Sequence, residues 1–141
     1  MNRTLFFLWM ITILLSGITL AQHRNQYKTI KNADYALALS SADRFLTAWQ
    51  FRRQDEGLAL LSDGLKKNKS EEDLFSLLVG TSNPHHESYE ICSGKQLKDG
   101  RFSFAVTLYE TITDEQWCSH TSIKIIMIKA GKENWLVDEL P

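Results

Sequence analysis

The sequence predicts an α+β domain in which three N-terminal helices pack on a curved four-stranded antiparallel sheet. Two observations carry that class. Apolar residues recur at three-and-four spacing from about Ala33 to Leu78, and beyond Pro84 the period falls to two. Helical pattern first and alternating pattern afterwards segregates the two element types along the chain, which is the mark of an α+β arrangement.

The opening of the chain has the pattern of a separate signal. Met1 to Thr4 is short and polar with Arg3 as a positive charge, Leu5 to Leu15 is apolar apart from Thr12, and Ser16 to Ala21 is small or weakly polar. That order predicts a secretory signal peptide over residues 1–21, with Thr19 and Ala21 as the small residues at the cleavage positions. The apolar run falls short of the roughly 20 residues a spanning helix needs. Left uncleaved, it would make the protein membrane-anchored. The expectation is a secreted or periplasmic domain of about 120 residues, long enough to bury one modest core. Residues 22–32 are polar apart from Tyr27 and Ile30 and read as a flexible leading segment, so the domain runs over 33–141.

The first helix places Ala38, Ala42, Phe45, Leu46 and Trp49 on one face, with Asn32 or Asp34 as its cap and Arg52 and Arg53 in its last turn. A second helix restarts at Asp55 and presents Leu58, Leu61 and Leu65, weakened by Gly57 and Gly64. Ser70-Glu71-Glu72-Asp73 has the form of a capping box for a third helix through Leu74, Phe75, Leu77 and Leu78, stopped at Gly80. Tyr89 and Ile91 then begin a strand. Lys98-Asp99-Gly100 is a hairpin turn, and Phe102, Phe104, Val106 and Leu108 alternate with small or polar residues along the next strand. Thr113 to Gln116 turns again. Ile123 to Ile128 is apolar on both faces apart from Lys124, which predicts a central strand, and Trp135 with Val137 closes the meander.

Charge narrows the function classes. The formal net charge is −1, and acidic and basic residues are interspersed. Nucleic acid and anionic membrane surfaces reward clustered Lys and Arg, so neither is expected as a partner. No cofactor motif, phosphate-binding glycine loop or interpretable Ser-His-Asp set is present, and the catalytic residues of any enzyme reading stay unknown.

Phe45-Leu46-x-Ala48-Trp49, Asp55 with Leu60-Leu61-Ser62, the hairpin Lys98-Asp99-Gly100-Arg101 and the closing Trp135-Leu136-Val137-Asp138 together resemble the nuclear transport factor 2-like superfamily, with its cystatin-like α+β fold. The resemblance spans nearly all of the domain and rests on pattern and element order. It implies helices set against a strongly curved sheet with a pocket or groove between them. Members of that superfamily include isomerases and hydrolases as well as many proteins that only bind, so the likeness alone licenses no activity.

The candidate pocket residues are Tyr35, Phe45, Trp49, Tyr89, Phe104, Tyr109, Ile125 and Asp138, Tyr109 being the weakest because strand parity puts it on the His120 face. Trp49, Trp117 and Trp135 are first of all core residues. With pairing centred on the Asp99-Gly100 turn, His86 falls opposite residues near Thr113, and parity gathers His86, Cys118 and His120 on one face. That set could hold zinc or copper, although none of the three shows a tight ligand spacing. Two cysteines in an oxidising compartment invite a Cys92–Cys118 disulfide. The same pairing puts Cys92 opposite about Thr107, several residues along the sheet from Cys118. A bridge spans only about 7 Å between Cα atoms, so a bulge or a curled sheet would be needed to close it.

The expected function is a binding module that takes a small apolar ligand or a protein partner in the groove, with no cofactor. The alternative is an enzyme of isomerase or hydrolase type using a carboxylate or Tyr there. A groove filled by Phe45, Trp49, Phe104 and Ile125 would mark an interaction role, and one enclosing Asp138 or a Tyr away from water would mark an enzyme. Homodimerisation through the outer sheet face is a further expectation, since Ile126 and Ile128 would otherwise lie bare.

Overall fold

The computed structural model describes residues 33–79, 84–112 and 117–140. The expected signal and leading segment, the Asn32 cap, the expected stop at Gly80 and the expected turn at Thr113 to Gln116 fall outside the described residues. The described residues form an α+β unit with four helices rather than three: α1 (Ala33–Gln50), α2 (Gln54–Ala59), α3 (Asp63–Asn68) and α4 (Glu71–Leu78).

Helix α1 buries Ala38, Ala42, Phe45, Leu46 and Trp49, the stripe its spacing requires. It ends at Gln50, so Arg52 and Arg53 lie beyond it rather than in its last turn. Arg52 takes φ +53, with its N–H donating to the Trp49 carbonyl (3.2 Å) and the Arg53 N–H to the Ala48 carbonyl (2.8 Å). This is a Schellman stop with arginine at the position glycine usually holds.

The expected second helix is broken in two. At Leu60–Ser62 the backbone leaves the helix to bond the last strand: Val137 N–H donates to the Leu60 carbonyl and Ser62 N–H to the Val137 carbonyl, both at 2.8 Å. Leu61 thereby makes a parallel bridge with Val137. Ser62 then caps α3, its hydroxyl accepting from the Leu65 N–H at 3.0 Å. Helix α4 begins with a complete Ser70–Asp73 capping box.

Four antiparallel strands follow in sequence order: β1 (His85–Gln96), β2 (Phe102–Ile112), β3 (Trp117–Lys129) and β4 (Trp135–Glu139). The first hairpin has three loop residues, not two. Leu97 N–H donates to the Arg101 carbonyl at 2.8 Å, and Gly100 sits at φ +87. Strand β1 carries bulges at Glu87 and Cys92, where its register against β2 shifts.

The face of the sheet bearing Phe102, Phe104, Val106, Ile125 and Met127 shares one core with Phe45 and Leu46 of α1, Leu61, Leu65, and Leu74 and Leu78 of α4. The other face is polar along most of its length, with Ala105, Thr107, Tyr109 and Thr111 of β2 opposite Lys124, Ser122, His120 and Cys118 of β3. Ile126 on that face is buried within the single chain, and Ile128 is half-buried.

Candidate functional site

The interior between α1 and the sheet is occupied. Phe45, Trp49, Phe104 and Ile125 are each between 0 and 4% exposed, and the Tyr35 ring packs edge-on against Phe102 with centroids 5.5 Å apart. Gly94 permits this closeness, since a Cβ there would stand 2.5 Å from the Phe104 ring and from the Tyr35 hydroxyl. Phe45, Trp49, Phe104 and Ile125 are thus core side chains, and Tyr35 is half-buried against the core.

At the C-terminal end of α1 a polar clasp fastens the helix to β1. Tyr89 donates its phenol proton to Asp43 Oδ1 (2.7 Å) and lies 2.9 Å from the Thr47 hydroxyl. Burial holds that phenol above its ordinary value near 10.0, and the Asp43 carboxylate adds to the effect. Gln50 donates to the Glu87 carbonyl and Arg52 to the Pro84 carbonyl. His86 stacks on Trp49 with ring centroids 4.1 Å apart and planes inclined by 12°. Its Nδ1 is 2.8 Å from the Trp49 carbonyl, an acceptor, so that nitrogen carries the proton. Its Nε2 faces Glu110 Oε1 at 3.6 Å.

This placement corrects the expected histidine–cysteine set. His86 pairs with Glu110 and faces the helices, whereas Cys118 and His120 pair with Thr111 and Tyr109 on the opposite face. The third loop residue in the hairpin shifts pairing by one position, and a one-residue shift exchanges the faces. The two bulges cancel each other in parity, so the turn decides. Among the described residues no three His, Cys, Asp or Glu side chains come together to hold a metal ion. Both cysteines are free and exposed.

Tyr109 belongs to the outer face, its ring 6.3 Å from that of His120 and its hydroxyl 3.4 Å from Glu90 Oε2. Partial desolvation and the Glu90 carboxylate push this phenol above its ordinary value. Its place as a pocket residue is corrected accordingly.

Asp138 sits at the bulge of β4 and ties three elements together. Its Oδ1 accepts from the Ser62 hydroxyl at 2.7 Å, and its Oδ2 accepts from Arg101 Nη1 at 3.3 Å. Arg101 also bonds Asp99 Oδ2 at 2.8 Å and Glu139. The Glu139 and Asp99 carboxylates raise the guanidinium's already high proton affinity. Asp138 is thus a fastening at the sheet end rather than an enclosed acid.

One residue and one atom escaped the sequence reading. Glu110 stands on the phase of Phe102 to Leu108 in β2, and a charge at an apolar phase was a legible signal. Trp135 reads as core and is core, yet its indole Nε1 is buried without a hydrogen-bond partner. No pattern in a sequence reveals that.

No family model matches the chain, and no curated protein or solved structure matches it either. No helix among the described residues is long and apolar enough to cross a membrane.

Proposed function

We propose that the protein is an exported interaction module of nuclear transport factor 2-like architecture whose partner is another protein, met on the surface rather than in an inner groove. The observation that carries this reading is the closure of the space between α1 and the sheet by Phe45, Trp49, Phe104 and Ile125. A small apolar ligand has no room among side chains so packed. An isomerase or hydrolase would want a desolvated acid there, and apolar side chains stand in its place.

The partner surface we assign is the helical side. Leu58, Ala59, Leu74 and Phe75 line a hollow of about 680 Å³ between α2, α3 and α4, with Lys66 and Glu71 at its rim. Phe75 is 46% exposed there. An apolar floor with a charged rim is the anatomy of a protein contact.

Photocrosslinking in the native host tests this directly. Phe75→p-benzoylphenylalanine gives one discrete protein adduct, while the same probe at Lys124, on the outer sheet face, gives none. Adducts at Lys124 alone, or an apolar molecule retained in the native mass of the purified protein, would overturn the reading.

A further inference from the structure

Helix α2 stands between two hollows. On one side is the partner surface of Leu58, Leu74 and Phe75. On the other, a hollow of about 440 Å³ opens toward α1, lined by Arg44 and Thr47 of that helix and by Arg53, Glu56 and Leu60. Ala59 borders both hollows and is exposed, so the ridge between them is one small side chain high. A helix is about 10 Å across, which an extended chain covers in roughly three residues.

The two hollows differ in charge. Asp55 and Glu71 outnumber Lys66 at the first, whereas Arg44 and Arg53 outnumber Glu56 at the second. Neither arginine is committed to a strong partner. Arg44 is exposed and makes no hydrogen bond or ion pair among the described residues, and its neighbour Asp43 is engaged by the Tyr89 phenol of β1. Arg53 meets Glu56 at 3.4 Å, but both side chains are more than half exposed, and such pairs contribute little. The Arg53 guanidinium also lies 5.2 Å from the centre of the Phe51 ring, which is 59% exposed. Arginine is among the residues on which binding energy concentrates at protein contacts, and its planar fork matches a carboxylate.

We propose that the partner lays an acidic segment across α2. An apolar side chain sits in the first hollow, and an Asp or Glu roughly three residues of extended chain away meets Arg44 and Arg53. This rests on the helical side being the partner surface, and it adds the partner's chemistry and the direction in which its segment runs. The opposite charge balance of the two hollows disfavours the reversed orientation.

Selection of short random peptides, displayed on phage, against the purified protein tests this. The enriched peptides carry Asp or Glu roughly three residues from a bulky apolar residue. Arg44→Glu and Arg53→Glu each weaken a chosen peptide by roughly tenfold or more, the worth of one charge-assisted hydrogen bond. Phe75→Ala weakens the same peptide through its apolar residue. Arg44→Lys and Arg53→Lys keep the charge and retain most of the binding, which separates lost recognition from a lost fold. Peptides that depend on Phe75 but carry no acid, or that bind the two glutamate variants unweakened, overturn the inference and leave the helical surface standing. Peptides indifferent to Phe75→Ala as well, or no enrichment at all, overturn both.

Discussion

Arg52 shows how one residue can hold two requirements in conflict. The stop of α1 needs a left-handed backbone, which is easy for glycine and costs an L-residue about 1–2 kcal/mol. The arginine side chain meanwhile reaches the Pro84 carbonyl at 2.6 Å, tying the helix end to the approach of β1. Two substitutions separate these effects. Arg52→Gly and Arg52→Ala lose the same side-chain bond, but only alanine keeps the strain, so the glycine variant should be more stable by about 1 kcal/mol. Urea unfolding of the pair measures this, and equal midpoints would show that the left-handed turn carries no cost. The turn itself was not legible beforehand, because nothing in Phe51-Arg52-Arg53 announces positive φ. Ser62 was equally silent, being an ordinary serine until the strand beside it claims the backbone on its N-terminal side.

Among the elements, α4 is the one whose start was fully written in the sequence. Ser70 and Asp73 exchange bonds, Asp73 N–H to the Ser70 hydroxyl at 3.1 Å and that hydroxyl to Asp73 Oδ2 at 2.8 Å. The bonds from the Ser70 side chain and backbone hold the Asp73 carboxyl below its ordinary value near 3.8. A depressed folded value means the cap contributes in full above pH 3.8 and is lost as pH falls through the lowered value. An NMR titration of the Asp73 carboxyl should therefore show a midpoint below 3.8 that moves up toward it in Ser70→Ala; an unmoved midpoint would remove Ser70 as the cause. The neighbouring pair α2 and α3 reads as one helix in the sequence for a definite reason. Leu58, Leu61 and Leu65 keep helical spacing, yet Leu61 is buried by bridging Val137, a contact 76 residues distant that periodicity does not register. Gly57 lies under Leu78, where a Cβ would stand 2.5 Å from a methyl carbon, so its role is close packing of α2 on α4 rather than a weak helix end.

For the molecule as a whole, class and strand order were legible because period and order are local properties. The faces of β1 were not, because they hang on whether the Lys98-Asp99-Gly100 loop counts as two residues or three. That single count sends His86 to the helices and away from Cys118 and His120. It leaves Cys92 and Cys118 on the polar face, Cys92 Sγ lying 3.4 Å from Thr107 Oγ1 and Cys118 pairing with Thr111. Four residues of strand separate those partners, about 13 Å, nearly twice the span of a disulfide. The folded protein should take up two iodoacetamide groups without denaturant, read as the mass of the intact chain; a mass unchanged by the reagent would contradict the free, exposed thiols. The same global packing buries Phe45, Trp49, Phe104 and Ile125 together, which no tally of apolar residues could have foretold.

The bridge between Leu61 and Val137 has a consequence for how such molecules can associate. It fastens the middle of β4 with the chain's own backbone, through the N–H and the carbonyl of Val137. Strand β4 in turn pairs with β3 only from Ile126 to Lys129. Among the described residues that border of the sheet is therefore stepped, and an incoming strand could not follow it straight from end to end, a shape that disfavours edge-to-edge growth from that side.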